Sequence, residues 1–178
     1  MHIRELTTKE CQAILQATNL GRLACVRYNR PYIVPIYFDF YDDALYSFAT
    51  VGKKIQWMRT NPRVCVEIDD IVDQFNWMTV VVRGRYEELT KAPAHEAARK
   101  RAYLLFEQRP DWWYPAAGKV ASDIRTPVIY RIHIEELTGR RASRAPKKLV
   151  RSKPESPSNQ APHWWSHVLR PLQRKSDG

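Results

Sequence analysis

The stretch PYIVPIYFDFYDDALYSFATVGKK, residues 31–54, decides the fold. From Pro31 to Tyr41 the side chains alternate, with Tyr32, Val34, Ile36, Phe38 and Phe40 on one face and Ile33, Pro35, Tyr37 and Asp39 on the other. A period of two is the signature of a strand. Pro35 donates no N–H, which places this strand at a sheet edge or a bulge. Asp42-Asp43 then forms a tight turn into a second strand, Ala44–Thr50, so that the pair reads as an antiparallel hairpin. Gly52 ends it, and Lys53–Thr60 reads as a short helix with Ile55 and Met58 inward, stopped by Asn61-Pro62.

Outward from this hairpin the same pattern continues. Thr7-Thr8-Lys9-Glu10 has capping-box form, with Cys11, Ile14, Leu15 and Thr18 on one helical face behind it, and Asn19 and Gly21 suit that helix's end. Arg22–Tyr28, Arg63–Asp69, Trp77–Leu89 and Pro127–Glu135 read as further strands, with Asp70–Asn76 as an acidic loop and Gly84 marking a bulge. Ala92–Arg109 reads as a helix lined by Ala94, Ala98, Ala102, Leu105 and Phe106. Six strands in sequential hairpins predict an α+β domain around a closed, six-stranded antiparallel β-barrel with short flanking helices. Regular βαβ units are absent from the pattern, which excludes a dinucleotide fold of the doubly wound kind.

The net charge of +10 is unevenly spread. From Gly139 onward ten basic residues face only Glu155 and Asp177, so the tail carries +8 and the preceding chain about +2. The expected organisation is therefore a barrel over residues 1–140 and a basic, Pro/Ser-rich, disordered tail over 141–178. The tail's Trp164 and Trp165 among basic residues suit a weak anionic partner, or simple solvation. Three widely spaced cysteines, Cys11, Cys25 and Cys65, suggest neither a disulfide framework nor a zinc ribbon, and Cys25 and Cys65 read as buried, inert thiols. No apolar run is long enough to cross a membrane as a helix, and a cytoplasmic location is expected.

Chemistry concentrates in Tyr46–Lys54. Ser47 and Thr50 hydroxyls, two lysine ammoniums and the free N–H groups of a helix start match the needs of a phosphate monoester. The plainer reading is a hairpin ending in a solvated lysine pair, and the spacing is not that of a Walker loop. The strand Tyr32–Phe38 could lie along a flat ring or be only a barrel strand, and Trp77 could stack on an aromatic ligand or fill the core. Neither a nucleophile elbow nor a zinc helix occurs. Glu87-Glu88, Glu135-Glu136 and Asp69-Asp70 point to opposite strand faces and read as solvated, as does His95. His163 and His167 share helical spacing without a third metal ligand, so no metal site is assigned.

Gly21–Cys25, Pro31–Phe38, Leu45–Lys54, Asn61–Val66 and Trp77 with Val80 and Gly84 come in an order and spacing that resembles the pyridoxamine 5′-phosphate oxidase-like split barrels, in the flavin-nucleotide-binding branch that includes nitroimidazole-resistance proteins. The last strand and exit, Tyr130–Ile134 and Leu137–Arg140, extend the resemblance. It implies a homodimer with flavin mononucleotide (FMN) at the subunit interface, haem or a deazaflavin being the alternatives. By position Pro35, Ile36 and Tyr37 would run beside the isoalloxazine, Ser47, Phe48, Ala49 and Thr50 would line ring and ribityl, and Lys53 and Lys54 would hold the phosphate. Trp77 and the Trp112-Trp113 loop would reach the partner's site. The implied activity is hydride or electron transfer through the flavin to a small organic acceptor; a non-catalytic flavin- or haem-binding module is the alternative. Many nitroimidazole-resistance proteins carry a histidine after the third-strand tyrosine, where this chain reads Tyr46-Ser47-Phe48, and that departs from nitro-drug reduction. No catalytic acid or base is assigned.

Overall fold

The computed structural model describes residues 1–108 and 127–144. Eight strands form one sheet: β1 His2–Glu5, β2 Leu20–Arg27, β3 Arg30–Tyr37, β4 Asp39–Tyr41, β5 Ala44–Ala49, β6 Arg63–Asp73, β7 Asn76–Glu88 and β8 Val128–Ser143. Its hydrogen-bonded order is β3-β2-β6-β7-β8-β5-β4, with β1 added on β8, and every pairing is antiparallel. The helices are α1 Thr8–Ala17, α2 Lys53–Thr60 and α3 Glu96–Glu107, the last preceded by a 3₁₀ turn at Pro93–His95.

The first and last strands of that order, β3 and β4, are one continuous run of chain. The predicted strand Pro31–Tyr41 breaks at Phe38, whose side chain is fully buried and whose N–H donates to the Asn19 carbonyl. Before the break the run pairs with β2; after it, with β5. The barrel is therefore split: chain continuity at Phe38, not a ladder between β3 and β5, joins the two edges. Ser47 Oγ on β5 donates to the Tyr37 carbonyl at 2.7 Å across that seam.

This break accounts for one of the two strands beyond the expected six. The other is β1, which pairs with Arg140–Ser143 of β8. Leu137–Arg140 continues the last strand instead of leaving the barrel, so β8 runs for 16 residues. The expected acidic loop at 70–76 is mostly strand as well. Asp73 Oδ1 accepts the backbone N–H groups of Phe75 and Asn76, which tightens the β6–β7 turn.

The core follows the strand alternation. Leu23, Cys25, Ile36, Phe38, Leu45, Val64, Val66, Val80, Val82, Tyr130 and Ile132 fill the barrel, closed at its ends by Cys11 and Leu15 of α1 and by Ile55 and Met58 of α2. A smaller cluster forms where Ala102 and Phe106 of α3 cover Ala44, Tyr46 and Ile129 on the opposite face. Helix α1 ends at Thr18 in an extended conformation with no glycine cap, and Gly21 belongs to β2.

The capping box at α1 is complete: Thr7 Oγ1 accepts from Glu10 N, and Glu10 Oε2 accepts from Thr7 N at 2.9 Å. Arg4 of β1 adds a bidentate pair to the same carboxylate. The Arg4 guanidinium, then the Thr7 N–H, hold the Glu10 carboxyl down at about 2. A depressed carboxyl contributes fully above its ordinary value of 4.5 and loses that contribution as the pH falls toward 2. Protection factors of amides 2–10, taken against intrinsic exchange at each pH, are therefore expected to fall across that acid window. In Glu10→Gln the protection factors should already be low at neutral pH and change little across the window; an unaltered acid response in the variant would refute this origin.

Candidate functional site

Helix α2 starts on an arrangement that opposes its own stability. Gly52 is its N-cap and offers no side chain to the free N–H groups, and its first turn contains no acidic residue. Two lysines, Lys53 and Lys54, occupy that turn instead, at the positive end of the helix dipole. Backbone donors and cations thus converge with no capping side chain and no acidic residue in that turn, which is the local chemistry of an anion site.

These groups border an open cleft of about 420 Å³. Tyr32 and Val34 of β3 form one wall, Phe48, Ala49 and Thr50 at the end of β5 another, Gly52, Lys53 and Lys54 the floor, and Pro127 at the entry to β8 the rim. Among the described residues no carboxylate lines it. Lys54 is half-buried, and among the described residues no hydrogen bond or ion pair engages its ammonium. Burial lowers its pKa, a shift partly offset by the neighbouring Cys25. The Cys25 thiol is buried, and that burial pushes it up and keeps it protonated. Lys53 is exposed, and its Nζ stands 4.5 Å from the Tyr32 ring centroid and 4.8 Å from that of Trp57.

Helix α2 is held in place from its other end. Arg59 makes two hydrogen bonds to the Glu88 carboxylate, at 2.7 and 2.8 Å, and Tyr86 Oη donates to the same group. Asn61 Nδ2 donates to the Val26 carbonyl, tying the helix exit to β2.

Of the ten residues singled out by the sequence, Phe48, Ala49, Thr50, Lys53 and Lys54 line the cleft. Phe48 does so while its ring lies edge-on to Phe106, 5.2 Å away. Ser47 lies just behind, buried and committed to the seam. Ile36 is in the core. Pro35 and Tyr37 face outward on β3, Pro35 beside Arg22 and Tyr37 beside Leu20. Trp77 sits at the β6–β7 hairpin, between Ile71 and Ala142, and does not border the cleft. The cleft takes Tyr32 and Val34 from β3 instead, and the alternation of residues 31–41 contained that signal: both share the inward face with Ile36. Trp112, Trp113, His163 and His167 lie outside the described residues.

Several carboxylates expected to be solvated are engaged. Glu87 accepts from Arg131 Nε at 2.5 Å and lies 2.8 Å from His133 Nε2, with His95 Nε2 at 3.6 Å. His95 is not a free surface group: its Nδ1 accepts the Thr90 N–H at 3.1 Å, which ties the 3₁₀ turn to the end of β7. Asp69 pairs with Arg22, and Glu136 with Arg83 at 2.7 Å. Cys65 is only partly buried, although burial still pushes its thiol up. Among the described residues no group of His, Cys, Asp and Glu is placed to hold a metal ion, and none of the three described histidines, His2, His95 and His133, lines the cleft.

The fold and the cleft together define the class: a split antiparallel barrel with a cationic cleft at a helix N-terminus. The family model for pyridoxamine 5′-phosphate oxidase matches residues 7–141, and the chain belongs to that family. An uncharacterized protein of Rhizobium meliloti is 38% identical over 146 residues, covering 80% of this chain and 97% of its own. The crystal structure of an FAD-binding protein from Mesorhizobium loti is similar at 43% identity and a TM-score of 0.68, over 80% of this chain and all of that one. An FAD-binding protein from Mycobacterium smegmatis shares the fold at 23% identity and a TM-score of 0.57, over 78% of this chain and 97% of its own.

Proposed function

We propose that the chain binds flavin mononucleotide in this cleft and serves as an oxidoreductase toward a small organic acceptor. The observation that carries the reading is the convergence of the uncapped α2 N-terminus with the half-buried Lys54, which has no ion-pair partner among the described residues, in a cleft that no described carboxylate lines. A phosphate dianion supplies the acceptors and the charge that this site lacks. The family and the FAD-binding relative at 43% identity support a flavin as the molecule that brings it.

Bound flavin would supply the hydride or electron chemistry. The chain's own residues do the rest. Lys54, Lys53 and the first N–H groups of α2 hold the phosphate, and Thr50 lies beside them. Tyr32 and Val34 give the cleft an apolar wall for ribityl and ring. The cleft is open on one side, and the outer face of β2 and β3 next to it exposes Leu20, Ile33 and Tyr37. An apolar sheet face of this kind is suited to a second copy of the chain, which would wall the cleft and place the cofactor at a homodimer interface. The free state of Cys11, Cys25 and Cys65 fits a cytoplasmic location. The charge of residues 145–178 fits a weak anionic partner.

Titration of the apoprotein with FMN, a deazaflavin and haem tests the reading. FMN is expected to bind and turn the protein yellow; failure to take up any flavin would overturn it. A finer outcome follows from Gly52. A Cβ there meets no atom closer than the Thr50 carbonyl at 3.9 Å, so a side chain fits. Gly52→Ser should cap α2 and stabilise the fold by about a few tenths of a kcal/mol. The same hydroxyl takes up an N–H that the phosphate would use, so FMN should bind more weakly while riboflavin is unaffected. Equal weakening of both ligands would show that the phosphate does not sit on this helix end.

A further inference from the structure

Lys53 and Lys54 are adjacent in sequence but differ in surroundings. Lys54 is half-buried with no partner among the described residues, whereas Lys53 has two aromatic faces. Its Nζ lies 4.5 Å from the Tyr32 centroid and 4.8 Å from the Trp57 centroid. The two rings stand 5.5 Å apart at an interplanar angle of 58°, so they converge on one ammonium like two walls of a box. Tyr32 comes from β3 and Trp57 from one turn further along α2, so the box spans two elements. Among the described residues no carboxylate forms an ion pair with Lys53.

We propose that Tyr32 and Trp57 are positioning residues that hold the Lys53 ammonium beside the cleft and release it to an incoming phosphate. This rests on the phosphate-binding reading given above. Two like charges in the first turn repel each other and oppose the helix dipole, so a lysine pair there needs something to hold it. Aromatic faces attract a cation without neutralising it. The charge therefore remains available, and a charge-assisted hydrogen bond to a phosphate oxygen is the stronger interaction. An acidic partner would have consumed the same charge. The box also restricts a four-carbon side chain that would otherwise sample many rotamers, which lowers the entropy lost when the anion is gripped.

FMN and riboflavin share ring and ribityl and differ in the phosphate, so they separate this device from the rest of the site. In protein labelled with 5-fluorotryptophan, the Trp57 resonance is assigned by its loss in Trp57→Phe. FMN should move that resonance toward the position it has in Lys53→Met without ligand, and riboflavin should not. The second readout is the ratio of riboflavin to FMN dissociation constants. Lys53→Met and Trp57→Leu should each lower it about threefold, Tyr32→Leu likewise, and Trp57→Phe should restore it. In the Lys53→Met background Trp57→Leu should have no further effect, because the ring acts only through the lysine. FMN that binds tightly without moving the Trp57 resonance would overturn the proposal while leaving the flavin reading intact. So would a Trp57→Leu effect that persists without Lys53, or a ratio that neither Lys53→Met nor Trp57→Leu alters. Failure of FMN to bind the unaltered protein would instead overturn the flavin reading itself.

Discussion

Replacing Lys54 with alanine is expected to weaken FMN binding at least tenfold, or about 1.4 kcal/mol, while riboflavin affinity stays within about twofold. The expectation rests on where the ammonium stands. It is half-buried, lines the cleft floor and has no partner among the described residues, so a phosphate gains a desolvated charge that water screens poorly. A hydrogen bond to a charged group contributes about 1.5–3 kcal/mol, against less than 1 for an exposed ion pair. The lysine-to-alanine loss should therefore exceed that from Lys53, which is exposed. Lys54→Arg keeps the charge and should retain most of the affinity.

The same burial gives a pH signature. Lys54 has a pKa below its ordinary 10.5, because burial disfavours its charged form. FMN affinity should rise as the phosphate gains its second charge near pH 6, and fall again in the alkaline range once Lys54 loses its proton, below the point expected of a solvated lysine. In Lys54→Ala the alkaline fall should flatten, while the acid limb stays. Isothermal titration of apoprotein across that range reads both limbs. An alanine variant that binds FMN as the unaltered protein does would remove the phosphate from this helix end.

Most of the barrel was legible because one face of each strand is buried and period-two alternation survives wherever that holds. Helix α2 matches its expected bounds, since Gly52 and Asn61-Pro62 punctuate it and Ile55 and Met58 fix its inward face. What escaped has two physical origins. The first is exchange of partners inside a continuous alternating run. Pro31–Tyr41 reads as one strand, and only the tertiary hydrogen bond from Phe38 N to Asn19 shows where it leaves β2 for β5. The second is stabilisation from far along the chain. Residues 2–5 have little strand character alone and become β1 by pairing with residues 140–143. The site was half legible for a related reason. The run proposed to hold phosphate is local in sequence, so Phe48–Lys54 emerges from it directly. The opposite wall depends on which face of β3 turns inward, and there the family-derived choice of Pro35–Tyr37 and the residues bordering the cleft, Tyr32 and Val34, diverge.

Gly84→Ala is expected to be the most damaging single-methyl addition in the described chain, costing at least about 2 kcal/mol of folding stability. Between Arg83 and Gly84 the pairing of β7 with β8 shifts register: Arg83 lies opposite Glu136 and Gly84 opposite Ile134, leaving Glu135 as the extra residue of a bulge. A Cβ at Gly84 would stand 2.2 Å from the His133 carbonyl oxygen and 2.8 Å from an Ile132 methyl. The first of these is backbone and has no rotamer to escape into. Either β8 moves away, breaking ladder bonds on both sides of the bulge, or β7 does. The bulge lets the 16-residue β8 bend, so that Val128–His133 closes on β5 beside the cleft while Arg140–Ser143 reaches β1. A regular ladder would send these two halves in one direction and leave one of them unpaired. Urea unfolding should therefore show a lower midpoint for Gly84→Ala. Any loss of FMN affinity should vanish at temperatures where the variant is fully folded, since Gly84 does not line the cleft. A variant as stable as the unaltered protein would mean that β7 and β8 separate there at little cost, and that the bend is set elsewhere in β8.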